Sequence, residues 1–159
     1  MGVTLAKSLG RLVIDLDQVI EANAGKSIRE IFEQGGEPLF RQQETEALRT
    51  VADAPPAVVS LGGGAILSED NRGVIGQSGL CFWLDADAET IAERIHRDQT
   101  TADRRPPLTS LGELEEIRQL LTQRRNLYEA AASHRIDTGG KSVDQVAGEI
   151  LALLRDENG

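Results

Sequence analysis

At 159 residues and 40% hydrophobic content, the chain is the size of one domain with its own core, spanning 1–159. A net charge of -9 argues against a nucleic-acid partner, whose phosphates need a basic face. No apolar run approaches the roughly 20 residues that cross a bilayer and no signal peptide opens the sequence, so a cytoplasmic protein with no membrane partner is expected.

Val3 to Leu9 reads as a helix stopped by Gly10, followed by a strand at Leu12-Val13-Ile14. Asp15 and Asp17 close that strand. Two residues apart, their side chains share a direction if strand geometry persists, and such a pair can hold Mg²⁺ through water and orient an attacking hydroxyl. A solvated strand end or a helix N-cap is the other meaning of the same two residues.

Helices are expected over 17–24, 28–34 and 38–53. Gly25-Lys26-Ser27 imitates the end of a phosphate-binding loop, but position 20 is Ile where the loop's first glycine belongs. Ser27 with Glu30 fits a capping box instead. On the third of these helices Arg41 follows Phe40, and Glu44 lies three residues on, within reach of the guanidinium. Alone, Arg41 is a surface ion pair; beside a second arginine it becomes a carboxylate clamp, because the planar fork bonds both oxygens at once.

Ala57 to Leu61 is the second strand, running into Gly62-Gly63-Gly64. Three glycines let the backbone approach a ligand with bare N–H groups, or simply make a strand-to-helix turn. A helix over 69–77 leads to the apolar strand Leu80 to Leu84. Within it the only cysteine, Cys81, reads as a small buried hydrophobe, which leaves no internal disulfide and no cysteine metal cluster. After a helix over 88–98, the polar stretch Gln99 to Gly112 carries Arg104-Arg105-Pro106-Pro107. A loop bearing arginine there can close over a phosphoryl group and neutralise developing charge.

A helix over 113–132 opens on Glu113, Glu115 and Glu116 and carries Arg124 four residues before Tyr128. Arg135 to Thr138 is the last strand, followed by the Gly139-Gly140 turn and a helix over 143–155 with Val143, Val146, Ala147, Ile150, Leu153 and Leu154 on one face. Gly140-Lys141-Ser142 is a second imitation of a phosphate loop, with Arg at position 135, and Ser142 with Gln145 again fits a cap. His96 and His134 stand alone and read as structural or surface residues. Strands alternating with helices predict an α/β fold with a parallel sheet. Ligands of such sheets bind beyond the carboxyl ends of the strands, where Asp15, Asp17, Gly62 to Gly64 and Gly139-Gly140 all fall.

Five blocks in this order, "IDLDQVIEANAGKSIREIF", "GEPLFRQQE", "VVSLGGGAIL", "RRPPLT" and "RRNLYEAAA", resemble the shikimate kinase family over nearly the whole chain. The resemblance implies a three-layer parallel sheet of the P-loop nucleoside-monophosphate-kinase-like type. It also implies phosphorylation of the shikimate 3-hydroxyl by ATP, on the route to chorismate and aromatic amino acids, in a protein that acts as a monomer. Catalytic roles are implied for Asp17 and Arg105, and shikimate contacts for Asp17, Arg41, Gly62, Gly63, Gly64 and Arg124. Spacing to Leu127-Tyr128 favours Arg124 over its neighbour Arg125. Mg²⁺ is implied at Asp15 and Ser60, and ATP contacts at Arg105, Gly139 and Gly140. The substrate-binding helical region is expected over about 17–55 and the lid over about 99–112, with Pro107 where the family's R-P-L-L has Leu.

The family's G-x-x-x-x-G-K-[ST] loop belongs before Asp15, and the register of Val3 to Leu9 puts Met1 just after its last residue. The loop and the first, central strand are therefore expected to be missing from these residues, leaving two facing sheet edges and no phosphate cradle. Two other functions stay open: a noncatalytic shikimate-binding or regulatory homologue, and another small-molecule P-loop kinase of the gluconate kinase type.

Overall fold

The structure is a computed structural model and describes residues 1–97 and 112–157. Helix α1 (Gly2–Leu9) ends as Gly10 turns left-handed, at φ 61° and ψ 31°, and releases the chain into β1 (Leu12–Asp15). β1 runs parallel to β2 (Ala57–Ser60), and β3 (Phe82–Asp85) runs parallel to β4 (His134–Asp137). Parallel neighbours need crossovers. The first is built from α2 (Leu16–Ala24) and α3 (Ile28–Ala52), and the second contains α5 (Ala88–Arg97) and α6 (Glu113–Ala131). Helix α4 (Glu69–Ser78) joins the two strand pairs and α7 (Val143–Asp156) closes the chain. The fold is α/β with parallel strands, as expected.

Among the described residues β2 pairs only with β1, and β3 only with β4, so the strands form two ladders rather than one sheet. Each of β2 and β3 keeps one edge without a strand partner. The halves are held together by side chains instead. Leu5 of α1, Ile136 of β4 and Val146 and Ile150 of α7 form one buried cluster, with Val58 of β2 and Phe82 of β3 packed against it, so a single apolar layer touches both ladders. A second cluster, including Leu16, Ile20, Ile31, Phe40, Leu48 and Ile75, knits α2, α3 and α4 together.

The apolar run from Leu80 to Leu84 differs from expectation. Its strand begins two residues late, and Leu80 and Leu84 are 43% and 42% exposed. Ser133 and His134 both donate their backbone N–H to the Cys81 carbonyl, at 2.7 and 3.2 Å, so the segment before Phe82 is a junction rather than a ladder residue. Burial pushes the Cys81 thiol above its ordinary value, the direction of an unreactive cysteine. The two helices expected on either side of position 36 are both present within the span of α3, separated where Gly36 leaves helical backbone at φ 66° and ψ -164°, two residues before Pro38. Both capping boxes, Ser27 with Glu30 and Ser142 with Gln145, close as their spacing predicts.

Candidate functional site

β2 stops at Ser60, and Gly62 to Gly64 fold into a short 3₁₀ turn, Ala65–Leu67. Ala65 N–H donates to Gly62 O at 3.0 Å and Leu67 N–H to Gly64 O at 3.1 Å. Buried Asn71 donates to Ala65 O at 2.9 Å, and Arg72 to Ile66 O at 2.7 Å, which fastens the turn to α4. Each glycine faces a different polar side chain. A Cβ on Gly62 would lie 3.7 Å from Asp17 Oδ1, one on Gly63 3.0 Å from the Tyr128 hydroxyl, and one on Gly64 2.5 Å from an Arg41 guanidinium nitrogen. The last separation admits no side chain unless Arg41 moves. Gly64 is therefore the seat on which that guanidinium rests.

Arg41 is held from its own helix. Nη1 donates to Glu44 Oε2 at 2.8 Å, while Nε and Nη2 both donate to Glu37 Oε1 at 3.2 Å. Glu37 is 62% exposed, but Glu44 is only 2% exposed, so the second pair is the better shielded. Desolvation raises the Glu44 carboxyl above its ordinary value, with the Arg41 guanidinium opposing the rise.

The two aspartates do not share a strand. Asp15 is the N-cap of α2, and its Oδ1 accepts from Asp17 N–H at 3.0 Å, so Asp17 already lies in the first helical turn. The cap bond ends the strand before two-residue alternation can reach Asp17, which corrects the expectation of parallel side chains. Asp15 instead stands opposite Ser60 in the β1–β2 register. The start of α1 abuts the same spot, since a Cβ on Gly2 would lie 2.7 Å from Ser60 Oγ.

From α6, Arg124 Nη1 donates to Gly63 O at 3.4 Å, and Tyr128, one turn on, donates to the same carbonyl at 2.7 Å. Arg125 is taken up by Glu129 at 3.2 Å. At the end of β4, Asp137 Oδ1 accepts from Gly139 N–H at 2.9 Å and Gly140 takes φ 64°. Arg94 of α5 donates to Thr138 Oγ1 at 2.8 Å and to Thr138 O at 2.9 Å, and Thr138 Oγ1 donates to Asp85 O at 2.9 Å, so the glycine turn is tied to α5. Asp17, Arg41 and Arg124 thus gather around Gly62 to Gly64, and Asp15 and Ser60 sit side by side. Gly139-Gly140 lies on the other ladder. Arg105 and all but the last residue of the expected lid lie outside the described residues. Sequence reasoning passed over Glu37 and Arg94, and used Tyr128 only as a spacing marker.

An α/β domain with parallel strands, with a glycine turn, a carboxylate and two arginines gathered beyond a strand end, has the architecture of a protein that binds a small anionic molecule. The chain belongs to the shikimate kinase family, whose sequence profile matches residues 1–155. The shikimate kinase of Rhodopirellula baltica is 46% identical over 147 residues, covering 92% of this chain and 79% of that protein. That of Geobacter sulfurreducens is 42% identical over 156 residues, covering 98% and 83%. Among solved structures, shikimate kinase from Acinetobacter baumannii in complex with shikimate is 33% identical, with a TM-score of 0.90 over 98% of this chain and 85% of that one. The Aquifex aeolicus enzyme is 31% identical, with a TM-score of 0.81 over 99% and 89%.

Proposed function

We propose that this chain serves the ATP-dependent phosphorylation of shikimate at its 3-hydroxyl, as a cytoplasmic monomer. The observation that carries the proposal is the convergence of Asp17, Arg41 and Arg124, from three different helices, on the Gly62–Gly64 turn. Arg41 and Arg124 hold the carboxylate by bidentate charge-assisted bonds, and the bare glycines let the ring approach the backbone. Asp17 orients the hydroxyl and takes its proton as the oxygen attacks the γ-phosphorus and ADP leaves in line. Arg105 neutralises charge on the transferring group, and the Gly139-Gly140 backbone contacts the nucleotide. Asp15 and Ser60, two hard oxygen donors at adjacent strand ends, fit Mg²⁺, which needs few protein ligands beside water and phosphate. When bound, that ion screens the phosphate charge.

The 159 residues contain no G-x-x-x-x-G-K-[ST] segment to cradle phosphates, so shikimate binding and phosphoryl transfer call for separate tests. A coupled ADP-release assay separates the two. Turnover is expected when residues 1–159 follow a strand and such a loop, and none above background from the 159 residues alone. No turnover in either form supports a noncatalytic shikimate-binding function. Robust turnover by the shorter form shows that other residues bind the phosphates.

Glu44 gives this site a pH dependence. Its raised carboxyl takes a proton above the ordinary value of 4.5 as pH falls. The stability that goes with the protonated form is present below 4.5 and lost as pH rises through the raised value, so acidification does not unfold the protein at this residue. It does remove the charged partner from Arg41. Shikimate affinity is expected to fall across that window while the fold persists, and Glu44→Gln is expected to start weaker and to lose this part of the pH profile. A titration series carried from neutral pH down through 4.5 checks this; parallel profiles for the two proteins would refute it.

A further inference from the structure

The Gly63 carbonyl receives two donors from one helix, and they are unequal. The Tyr128 hydroxyl sits at 2.7 Å, a full hydrogen bond, whereas Arg124 at 3.4 Å is at the weak limit. The phenol is placed from the opposite ladder. Its ring stacks on Trp83, with centroids 5.5 Å apart and planes 22° from parallel. Trp83 lies under the Arg135 guanidinium, 5.0 Å from the ring centroid, and Trp83 and Arg135 are partners in the β3–β4 register. Asp85, two residues along β3, accepts from Arg135 Nε at 2.8 Å. A column of Asp85, Arg135, Trp83 and Tyr128 therefore runs from the strand pair to the carbonyl in the middle of the glycine turn.

We infer that Tyr128 is a positioning residue for the acidic end of the substrate: it satisfies the Gly63 carbonyl so that Arg124 can give its guanidinium to the carboxylate. Without the hydroxyl, Arg124 is the remaining side-chain donor to that exposed carbonyl, and turning it toward a ligand leaves the carbonyl to water alone. The effect is specific to charge. A ligand with the same ring and hydroxyls but no carboxylate does not call on Arg124 and is indifferent to Tyr128. The inference rests on the shikimate function proposed above and adds to it a residue that acts through Arg124.

The test is calorimetric titration of the full chain and of Tyr128→Phe with shikimate and with its methyl ester. Phenylalanine keeps the ring and its stack on Trp83, so the melting temperature and the emission of Trp83, the only tryptophan, are expected to stay close to those of the parent. Affinity for shikimate is expected to fall by about 3- to 10-fold, the worth of one hydrogen bond, and affinity for the ester by less than about 2-fold. In an Arg124→Lys background the Tyr128→Phe effect on shikimate is expected to shrink, because the two act on one contact. Unchanged shikimate affinity, equal weakening of acid and ester, or a collapsed melt on loss of one hydroxyl would each overturn the inference while leaving the shikimate function standing. A parent chain that binds neither ligand would overturn both.

Discussion

Arg41→Lys is expected to weaken shikimate binding by about 1–3 kcal/mol, roughly 5- to 150-fold in Kd. One N–H on each of the three guanidinium nitrogens is spent on Glu37 and Glu44, which fix the plane of the fork against Gly64 and leave one N–H on each Nη for a carboxylate. A lysine ammonium keeps the charge but cannot hold Glu44, occupy the Gly64 seat and face two carboxylate oxygens together. It also leaves the Glu44 carboxylate, 2% exposed, with a poorer partner. Gly64→Ala is expected to act in the same direction from the other side, since its Cβ would meet three guanidinium atoms at 2.5, 2.7 and 2.9 Å. Side-by-side calorimetry of the three proteins decides this, and equal affinities would rule out the clamp.

The second large effect concerns the two ladders. β2 and β3 each present one edge with no strand partner among the described residues, and both strands are only partly covered. Backbone groups left half-buried without partners cost roughly 1–3 kcal/mol each, less where water reaches them, against a typical total stability of about 5–15 kcal/mol. An extension that supplies a parallel strand to both edges is therefore expected to raise the melting temperature substantially and to suppress aggregation through the exposed strand edges and Leu84. Thermal melts of residues 1–159 alone and in the extended form check it. The same cooperative, monomeric transition at the same temperature in both would contradict it and strengthen the noncatalytic function.

Sequence was most informative where a local rule decides the structure. Gly10 stops α1 because left-handed backbone is cheap only for glycine, and Ser27 and Ser142 start helices because their caps close within three residues. Arg124 and Arg125, neighbours that spacing told apart, take different partners, Arg124 donating to Gly63 O and Arg125 pairing with Glu129. Two local rules competed at Asp15 and Asp17, where the cap hydrogen bond overrode strand alternation. What escaped was long-range. Tyr128 meets Gly63 across 65 residues and Arg94 meets Thr138 across 44, and no periodicity in either segment encodes such a meeting. The Trp83 stack is of the same kind, a cross-element contact that only the assembled strand pair creates.

Recognition of shikimate by the glycine turn and its two arginines is tested most directly by calorimetric titration of the 159-residue chain with shikimate and, in parallel, with gluconate. Saturable one-to-one binding of shikimate is expected, with gluconate bound at least about 10-fold more weakly, because the proposed site has a ring rather than an open chain lie against the bare glycine backbone. No heat of binding with shikimate, or equal affinity for gluconate, would contradict it.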